Sequence, residues 1–246
     1  MRDFLHGAVL SYKALFTWLN PLGYLSSRIV RPIGLTIAFA ATSSHYGVPV
    51  GPTLVGTSLL AGAHAVIYGM ALSVGNEHNF GTMPTWLASP QNILGAICQR
   101  AVPHVFDGFV SAMLTYLVCA LLFGDLFLPV PAFTLLLLLA LLSSFGVGLV
   151  VGGVNLRVRD QFVWPNIAVL AMMLFAGVLI TAERLPSLLR PLADAFPLSH
   201  LMAAVRTGSL TDHLATALLG ELAVAAAWAA AGTATVLLSL RHRTPD

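Results

Sequence analysis

The chain has 246 residues, of which 57% are hydrophobic and 9% are charged, and its mean hydropathy is +0.85. Because a soluble domain of this length carries about 25% charged residues, the composition predicts a protein covered largely by lipid. The net charge of +2 comes without a basic block, which argues against nucleic-acid binding. The two cysteines, Cys98 and Cys119, are too few for a disulfide framework or a metal site.

The N-terminal segment is predicted to be retained, because Asp3 and His6 interrupt any signal-peptide core. From Phe4 to Leu19, apolar residues recur at helical spacing, which predicts an amphipathic helix lying in the membrane surface with Trp18 as its anchor. A partly disordered leader is the alternative. We assign residues 1–28 to this region and residues 29–246 to a transmembrane domain.

Six stretches are long and apolar enough to cross a bilayer, which takes ~20 residues. In chain order they are Ile29–Val48, Thr53–Ser73, Ala101–Phe123, Ala132–Asn155, Phe162–Ala182 and Leu214–Leu240. The predicted fold class is therefore an all-α membrane protein with six transmembrane helices and an N-terminal interfacial helix.

The basic residues predict the orientation, because Lys and Arg concentrate in cytoplasmic segments. With the N-terminus inside, nine are cytoplasmic: Arg2, Lys13, Arg28, Arg31, Arg100, Arg157, Arg159, Arg241 and Arg243. Only three are then external: Arg184, Arg190 and Arg206. Both termini are thus predicted to be cytoplasmic, in the cell membrane.

Two connections are long enough to hold structure of their own. The cytoplasmic one is predicted over residues 74–100 and the external one over residues 183–213. The external segment mixes apolar residues with Pro186, Pro191 and Pro197, which predicts short, broken helices dipping against the outer face.

A polar stripe follows one face of the third predicted span, at intervals of three or four residues: Arg100, His104, Asp107, Ser111, Thr115 and Cys119. Polar groups in hydrocarbon are costly, so the stripe is expected to face other helices or a water-filled path. Either it lines a translocation route or subunit interface, with Asp107, Ser111 and Thr115 as candidates, or its members satisfy one another and nearby carbonyls. Glu221 and His64 are expected to have structural roles.

Several motifs are absent from the sequence. The chain has one lysine, Lys13, and no Walker A pattern, so it is not expected to hydrolyse ATP. The spacing of Ser144, Gly148 and Gly152 within the fourth span suits close helix packing. The eight histidines lack paired spacing on one helix, so no metal site and no bound cofactor are expected.

The segment after the second span carries the most informative pattern, the run from Gly75 to Pro90. It resembles the signature of ABC-2 type transporter permeases, the membrane subunits of one class of ABC exporter. The resemblance holds at Glu77, Gly81, Thr82, Leu87, Ser89 and Pro90, whereas His78 and Asn79 stand where the family usually has basic residues. The entry into the first span, from Asn20 to Pro32, and the external segment from Leu185 to Arg206 are similar to the family as well.

The resemblance implies a permease subunit without its own ATPase site, working with a separate ABC ATPase subunit that binds ATP and Mg²⁺ and with a second copy of the permease. Gly81 and Pro90 would bracket a short coupling helix that Thr82 caps. The residues expected to couple to the ATPase are Glu77, Gly81, Thr82, Trp86, Leu87, Ser89 and Pro90. The external gate candidates are Pro186, Pro191, Pro197 and Leu198.

The cargo predicted from this style of permease is a small amphipathic drug or natural product, with a lipid-linked glycan as the alternative. Two other classes stay open. One is a membrane-embedded enzyme acting on lipids, with Asp107, His104 and His64 as its chemistry. The other is a channel or assembly protein without energy input.

Overall fold

The computed structural model describes residues 7–10, 12–13, 20–90 and 92–241, and this part of the chain is all-helical with no strand. Residues 7–10 and 12–13 are helical. The rest of the predicted interfacial helix, including Trp18, lies outside the described residues.

The first long helical segment has three consecutive parts that run on without a break. They are α1 (Pro21–Leu25), a π-helical stretch (Ser26–Val30) and α2 (Arg31–His45). Asn20 starts the segment, since its side chain accepts a hydrogen bond of 3.0 Å from the Leu22 N–H. The first predicted span lies within this segment and the short connection after it.

The central helices are α3 (Val50–Asn79), α4 (Met83–Ala88), α5 (Ile93–Phe123) and α6 (Val130–Asn155). Much of the predicted cytoplasmic connection, residues 74–100, is helical, because α3 continues to Asn79 and α5 already begins at Ile93. The Asn92 side chain caps α5, accepting from the N–H groups of Leu94 and Gly95 at 3.1 and 3.4 Å. Polar residues thus extend both helices beyond their apolar cores.

The C-terminal third contains α7 (Val163–Phe175), a 3₁₀ turn (Ala182–Arg184), α8 (Arg190–Ala193), α9 (Ser199–Arg206) and α10 (Leu210–Arg241). The fifth predicted span, Phe162–Ala182, is helical only as far as Phe175. The predicted external segment does hold short helices. The last helix begins at Leu210, within the predicted connection.

Four of these helices, α3, α5, α6 and α10, are long and apolar enough to cross a membrane, whereas α7 is a shorter apolar helix. Large apolar side chains point outward from the bundle, among them Leu121 (83% exposed), Leu219 (69%) and Phe106 (67%). Such exposure would be costly in water, so these faces are suited to lipid, as expected of a membrane protein.

Helix α3 is the centre of the bundle, packed by α2, α5, α6 and α7, and α10 packs against α6. Small residues allow the close contacts. A Cβ built on Gly148 would lie 2.5 Å from the Met70 sulfur of α3, and one on Gly146 would lie 2.6 Å from the Ala229 nitrogen of α10. Helix α6 therefore has two small-residue faces, of which the sequence pattern predicted the one with Gly148.

Four arginines in or near the ends of long helices lie at one end of the bundle. There α3 meets α5 through Arg100 and Glu77, and the residues after α6 meet α10 through Arg157 and the Leu238 carbonyl. We call this the arginine-rich end, with Arg100, Arg157, Arg159 and Arg241. The opposite end carries Arg184, Arg190 and Arg206.

Candidate functional site

The turn that ends α3 is closed by two backbone hydrogen bonds. The Thr82 N–H donates to the Glu77 carbonyl at 2.9 Å, and the Gly81 N–H donates to the His78 carbonyl at 3.2 Å. This pairing is a Schellman motif, and Gly81 supplies the left-handed residue that it requires, with φ of +69°. The chain therefore leaves α3 along a fixed path and starts α4 at once.

Helix α4 is a single short helix held close to the bundle. Its side chains Met83 and Trp86 are buried, and Pro84 lies in its first turn. The Ser89 hydroxyl donates to the Trp86 carbonyl at 2.6 Å, just before Pro90, and so closes the helix. Glycine and proline thus bracket α4, as the sequence predicts.

Thr82 stands at the start of α4 but does not cap it with its side chain, contrary to the prediction. Its backbone is already in the αR region, so the hydroxyl does not point at the N–H groups of the first turn. The hydroxyl instead donates to Oε2 of Glu77. Thr82 therefore ties α4 to the end of α3.

Arg100 of α5 joins three helices through one guanidinium. Its Nη1 donates to Glu77 Oε1 at 2.6 Å and to the Ser73 carbonyl at 2.9 Å, both on α3. The guanidinium carbon lies 4.3 Å from the ring centroid of Trp86 on α4, a cation–π contact. The side chains of Arg100 and Glu77 are each 17% exposed, so water screens the pair only partly. We call Glu77, Thr82, Trp86 and Arg100 the Arg100 cluster.

The end of α3 also contacts α6. The His78 ring Nε2 lies 3.0 Å from the Asn155 carbonyl oxygen, and the Asn155 amide donates to the Ala71 carbonyl at 3.1 Å. Beyond Asn155, Arg157 donates to the carbonyls of Leu238 and Ser239 in α10. The end of α3 is thus linked to α6 directly and to α10 through the residues that follow α6.

A cleft of about 380 Å³ opens beside α4 on the arginine-rich end. It is lined by His78, Gly81, Met83, Pro84, Leu87, Leu156 and Arg159. Leu87 is half-buried there and Arg159 is exposed. The cleft therefore combines an apolar floor with a positive rim, and its shape depends on how α4 sits on α3.

The polar stripe of α5 faces the first helical segment and α3. The Ser111 hydroxyl donates to the Arg28 carbonyl, the Thr115 hydroxyl donates to the Ser111 carbonyl at 2.7 Å, and the Cys119 sulfur lies 4.0 Å from the Ile33 carbonyl. All three side chains are buried within a single chain. These contacts hold α5 against the first helical segment.

Asp107 and His104 of this stripe belong to a small buried network. The Tyr12 hydroxyl donates to Asp107 Oδ1 at 2.8 Å, and the Ser73 hydroxyl lies 2.9 Å from His104 Nε2. His104 Nδ1 is 4.0 Å from Asp107 Oδ2. Burial raises the pKa of Tyr12 to about 12. Arg100 is not part of this network, since it pairs with Glu77.

The sequence did not point to Tyr12 as the partner of Asp107. Tyr12 lies 95 residues away from Asp107 along the chain, and tyrosine is a common residue in an interfacial helix. Tyr24 belongs to the same contact, because its hydroxyl lies 2.6 Å from that of Tyr12. The sequence signal for this contact was the presence of Tyr12 and Tyr24 before the first predicted span.

At the opposite end, a carboxylate in α10 holds the start of α9. Leu198 is fully buried with φ of +74°, and its N–H donates to Glu221 Oε1 at 2.9 Å. Arg206 donates to the carbonyls of Gly177 and Val178 at 2.8 to 3.0 Å, and burial lowers its pKa. Glu221 thus accepts a hydrogen bond from a backbone N–H, which is a structural role of the kind that the sequence predicted.

The three proline gate candidates lie in the connection before and around α8. Pro186 accepts a backbone hydrogen bond from Leu189 at 2.8 Å, Pro191 lies in the first turn of α8, and Pro197 immediately precedes Leu198. The Trp228 indole donates to the Ala195 carbonyl at 2.7 Å and so fixes this connection to α10.

The described part of the chain contains no group of three or more His, Cys, Asp or Glu side chains arranged to hold a metal ion. The described cysteines, Cys98 and Cys119, are free thiols. Most polar groups of the Arg100 cluster and of the Asp107 network bond to helix backbones or to one another, whereas Trp86 Nε1, His104 Nδ1 and Asp107 Oδ2 are buried without a hydrogen-bond partner among the described residues.

Comparison of the chain with protein-family models and with curated proteins finds no match. The function must therefore be inferred from the contacts of the chain itself.

Proposed function

We propose that the chain is the permease subunit of an ATP-driven exporter and that α4 is the element on which a separate ATPase subunit acts. The observation that carries the proposal is the Arg100 cluster. The short helix α4 is tied to α3 by the closed turn and the Thr82–Glu77 hydrogen bond and to α5 by the cation–π contact. The Glu77–Arg100 salt bridge joins these two long helices to each other at the same place. A helix held in this way can transmit a displacement from a docked partner to the bundle.

In this proposal the membrane domain has six spans. Helices α3, α5, α6 and α10 are four of them. The first would be the segment from Pro21 to His45, which is continuous helix, and the fifth would be α7 with the apolar residues that follow Phe175. The arginine-rich end would be cytoplasmic, because its four arginines outnumber the three at the opposite end, Arg184, Arg190 and Arg206.

The ATPase would dock in the cleft beside α4. Leu87 and Leu156 would supply apolar contact, and Arg159 would favour an acidic patch on the partner. ATP and Mg²⁺ would bind to that partner, since the chain has no Walker A pattern. A second copy of the permease, or a related one, would complete the path through the membrane.

For the cargo we propose a small amphipathic compound. A glycan path needs aromatic faces free to stack on sugar rings. The aromatic pair Tyr116 and Phe133 is fully buried, and its rings stack on each other at 3.9 Å, so these rings are not available. The contacts of Asp107, Ser111 and Thr115 favour helix packing over direct contact with cargo within one chain.

The first experiment is purification of the tagged chain from its native membranes in mild detergent. We expect a soluble protein with a Walker A motif to co-purify, and we expect Leu87→Asp to abolish its recovery. Leu188→Asp is the matched control, because Leu188 is 86% exposed at the opposite end of the bundle. Size-exclusion profiles of both variants report whether they are folded.

The second experiment is ATP-dependent efflux by the reconstituted complex. Glu77→Ala and Gly81→Pro should reduce efflux while the ATPase still hydrolyses ATP. The proposal is wrong if no ATPase co-purifies, or if both variants export at the wild-type rate.

A further inference from the structure

A narrow groove runs along the outside of the bundle between α2, α3 and α7. Its walls are mostly apolar, with Leu35 and Phe39 on α2, Leu60 on α3 and Met173 on α7. At about 70 Å³ it is far smaller than the 300–1,000 Å³ of a site for a drug-sized molecule. The groove is therefore too small for a globular ligand of that size, and its apolar walls suit one side of a hydrocarbon chain.

One end of the groove is polar and positively charged. Arg31 lines it there, and its Nη1 lies 3.4 Å from Nε2 of His64. The His64 ring stacks on Tyr68 at 4.3 Å, and the Tyr68 hydroxyl donates to Asn166 of α7. This row of side chains joins α2, α3 and α7 at the end of the groove nearer the arginine-rich end.

No carboxylate of the described residues lies within 4 Å of the Arg31 guanidinium. If α3 enters hydrocarbon near Val50, a ~20-residue crossing ends near residue 70. His64, and Arg31 beside it, would then lie ~9 Å inside that boundary. A guanidinium at this depth without a counter-ion is costly, so an anion is expected beside it.

We propose that the groove holds an anionic phospholipid, with one acyl chain along Leu35 and Phe39 and its phosphate at Arg31. The guanidinium suits a phosphate, because its N–H groups can make two parallel hydrogen bonds to the oxygens. The direction of the groove matches this occupant, since the charge is at the end nearer the membrane surface and the apolar walls lead inward. The proposal requires only that the helices are embedded in a membrane.

Native mass spectrometry of the purified chain tests this proposal. Delipidated protein in dodecyl maltoside is mixed with phosphatidylglycerol or phosphatidylcholine of identical acyl chains. We expect preferential retention of phosphatidylglycerol, and Arg31→Gln should lower it about tenfold, as expected for a lost charge-assisted hydrogen bond. Arg241→Gln removes the same charge from the end of α10 and should leave retention unchanged.

A second variant tests the contact with the acyl chain separately from the contact with the headgroup. Ala61 lines the groove on α3, and Ala61→Leu should obstruct it and reduce retention of both lipids. Equal retention of the two lipids by the wild type, or unchanged retention in Arg31→Gln, would overturn the proposal. If a second copy of the protein covers the groove instead, lipid retention should not depend on Arg31, and that result would also overturn the proposal. ATPase co-purification is unaffected by either result.

Discussion

Replacing Glu77 by glutamine and Arg100 by leucine, singly and together, measures the salt bridge between α3 and α5 at the centre of the Arg100 cluster. Both side chains are 17% exposed, so the energy of breaking the pair should lie between two cases. An exposed ion pair is worth under about 1 kcal/mol, and breaking a fully buried one costs more. The 2.6 Å hydrogen bond between charged groups indicates a coupling energy of about 1.5–3 kcal/mol. Arg100→Leu should cost more than Glu77→Gln, since it also removes the contacts with the Ser73 carbonyl and Trp86.

The assay is unfolding of the detergent-solubilised chain on titration with SDS, analysed as a double-mutant cycle. Asp125→Asn with Arg100→Leu is the control cycle, because Asp125 is exposed at the opposite end and the two changes should add within about 0.5 kcal/mol. A Glu77–Arg100 coupling no larger than that of the control would refute the reasoning. The cluster would then be a set of neighbouring side chains with no mechanical role.

Three further substitutions test individual contacts through the unfolding midpoint of the chain. Gly81→Ala should cost about 1 kcal/mol, since a Cβ there meets nothing within 4 Å and only the left-handed backbone is strained; a cost-free change would contradict this. Glu221→Leu should cost about 1–3 kcal/mol by leaving the Leu198 N–H unpaired, and Glu221→Gln should cost less; equal costs would argue against the hydrogen bond. Gly146→Leu should cost about 3 kcal/mol or more, because its Cβ would lie 2.6 Å from a backbone nitrogen of α10. Gly34→Leu is the control and should be tolerated, because nothing lies within 4 Å of a Cβ built there, and similar effects of the two changes would refute the close packing.

Hydropathy predicted where the long helices lie, but it did not predict their ends. Apolar composition defines the part of a helix that lipid can cover, whereas the helix itself continues until its backbone hydrogen bonds find a cap. Helix α5 starts at Asn92, whose side chain caps it, eight residues before the arginine that marked the edge of the predicted loop. Helix α10 likewise begins at Leu210 and takes in Asp212 and His213, which hydropathy assigned to the connection.

The pattern from Glu77 to Pro90 indicated the site, yet the partners of its residues could not be read from it. Glu77 binds Arg100, 23 residues away, because α3 and α5 are antiparallel neighbours, and that is a property of the fold. The spacing of Thr82 suited a helix cap, but the carboxylate of Glu77 takes its hydroxyl instead. The hydroxyl donates to the carboxylate, and the αR backbone of Thr82 keeps its oxygen from accepting hydrogen bonds from the N–H groups of the first turn.

The stripe on α5 explains how the Arg100 cluster and the first helical segment are connected. Arg100 holds α4 and the end of α3. Two to three turns further along the same helix, Asp107 accepts a hydrogen bond from Tyr12 and Ser111 donates one to the Arg28 carbonyl, ~10–17 Å away at 1.5 Å per residue. Because a helix transmits displacement along its axis with little change in length, a push on α4 would reach the segment from Pro21 to His45 through α5. Under the proposed function, the buried polar groups of α5 would hold the helices to one another as they move.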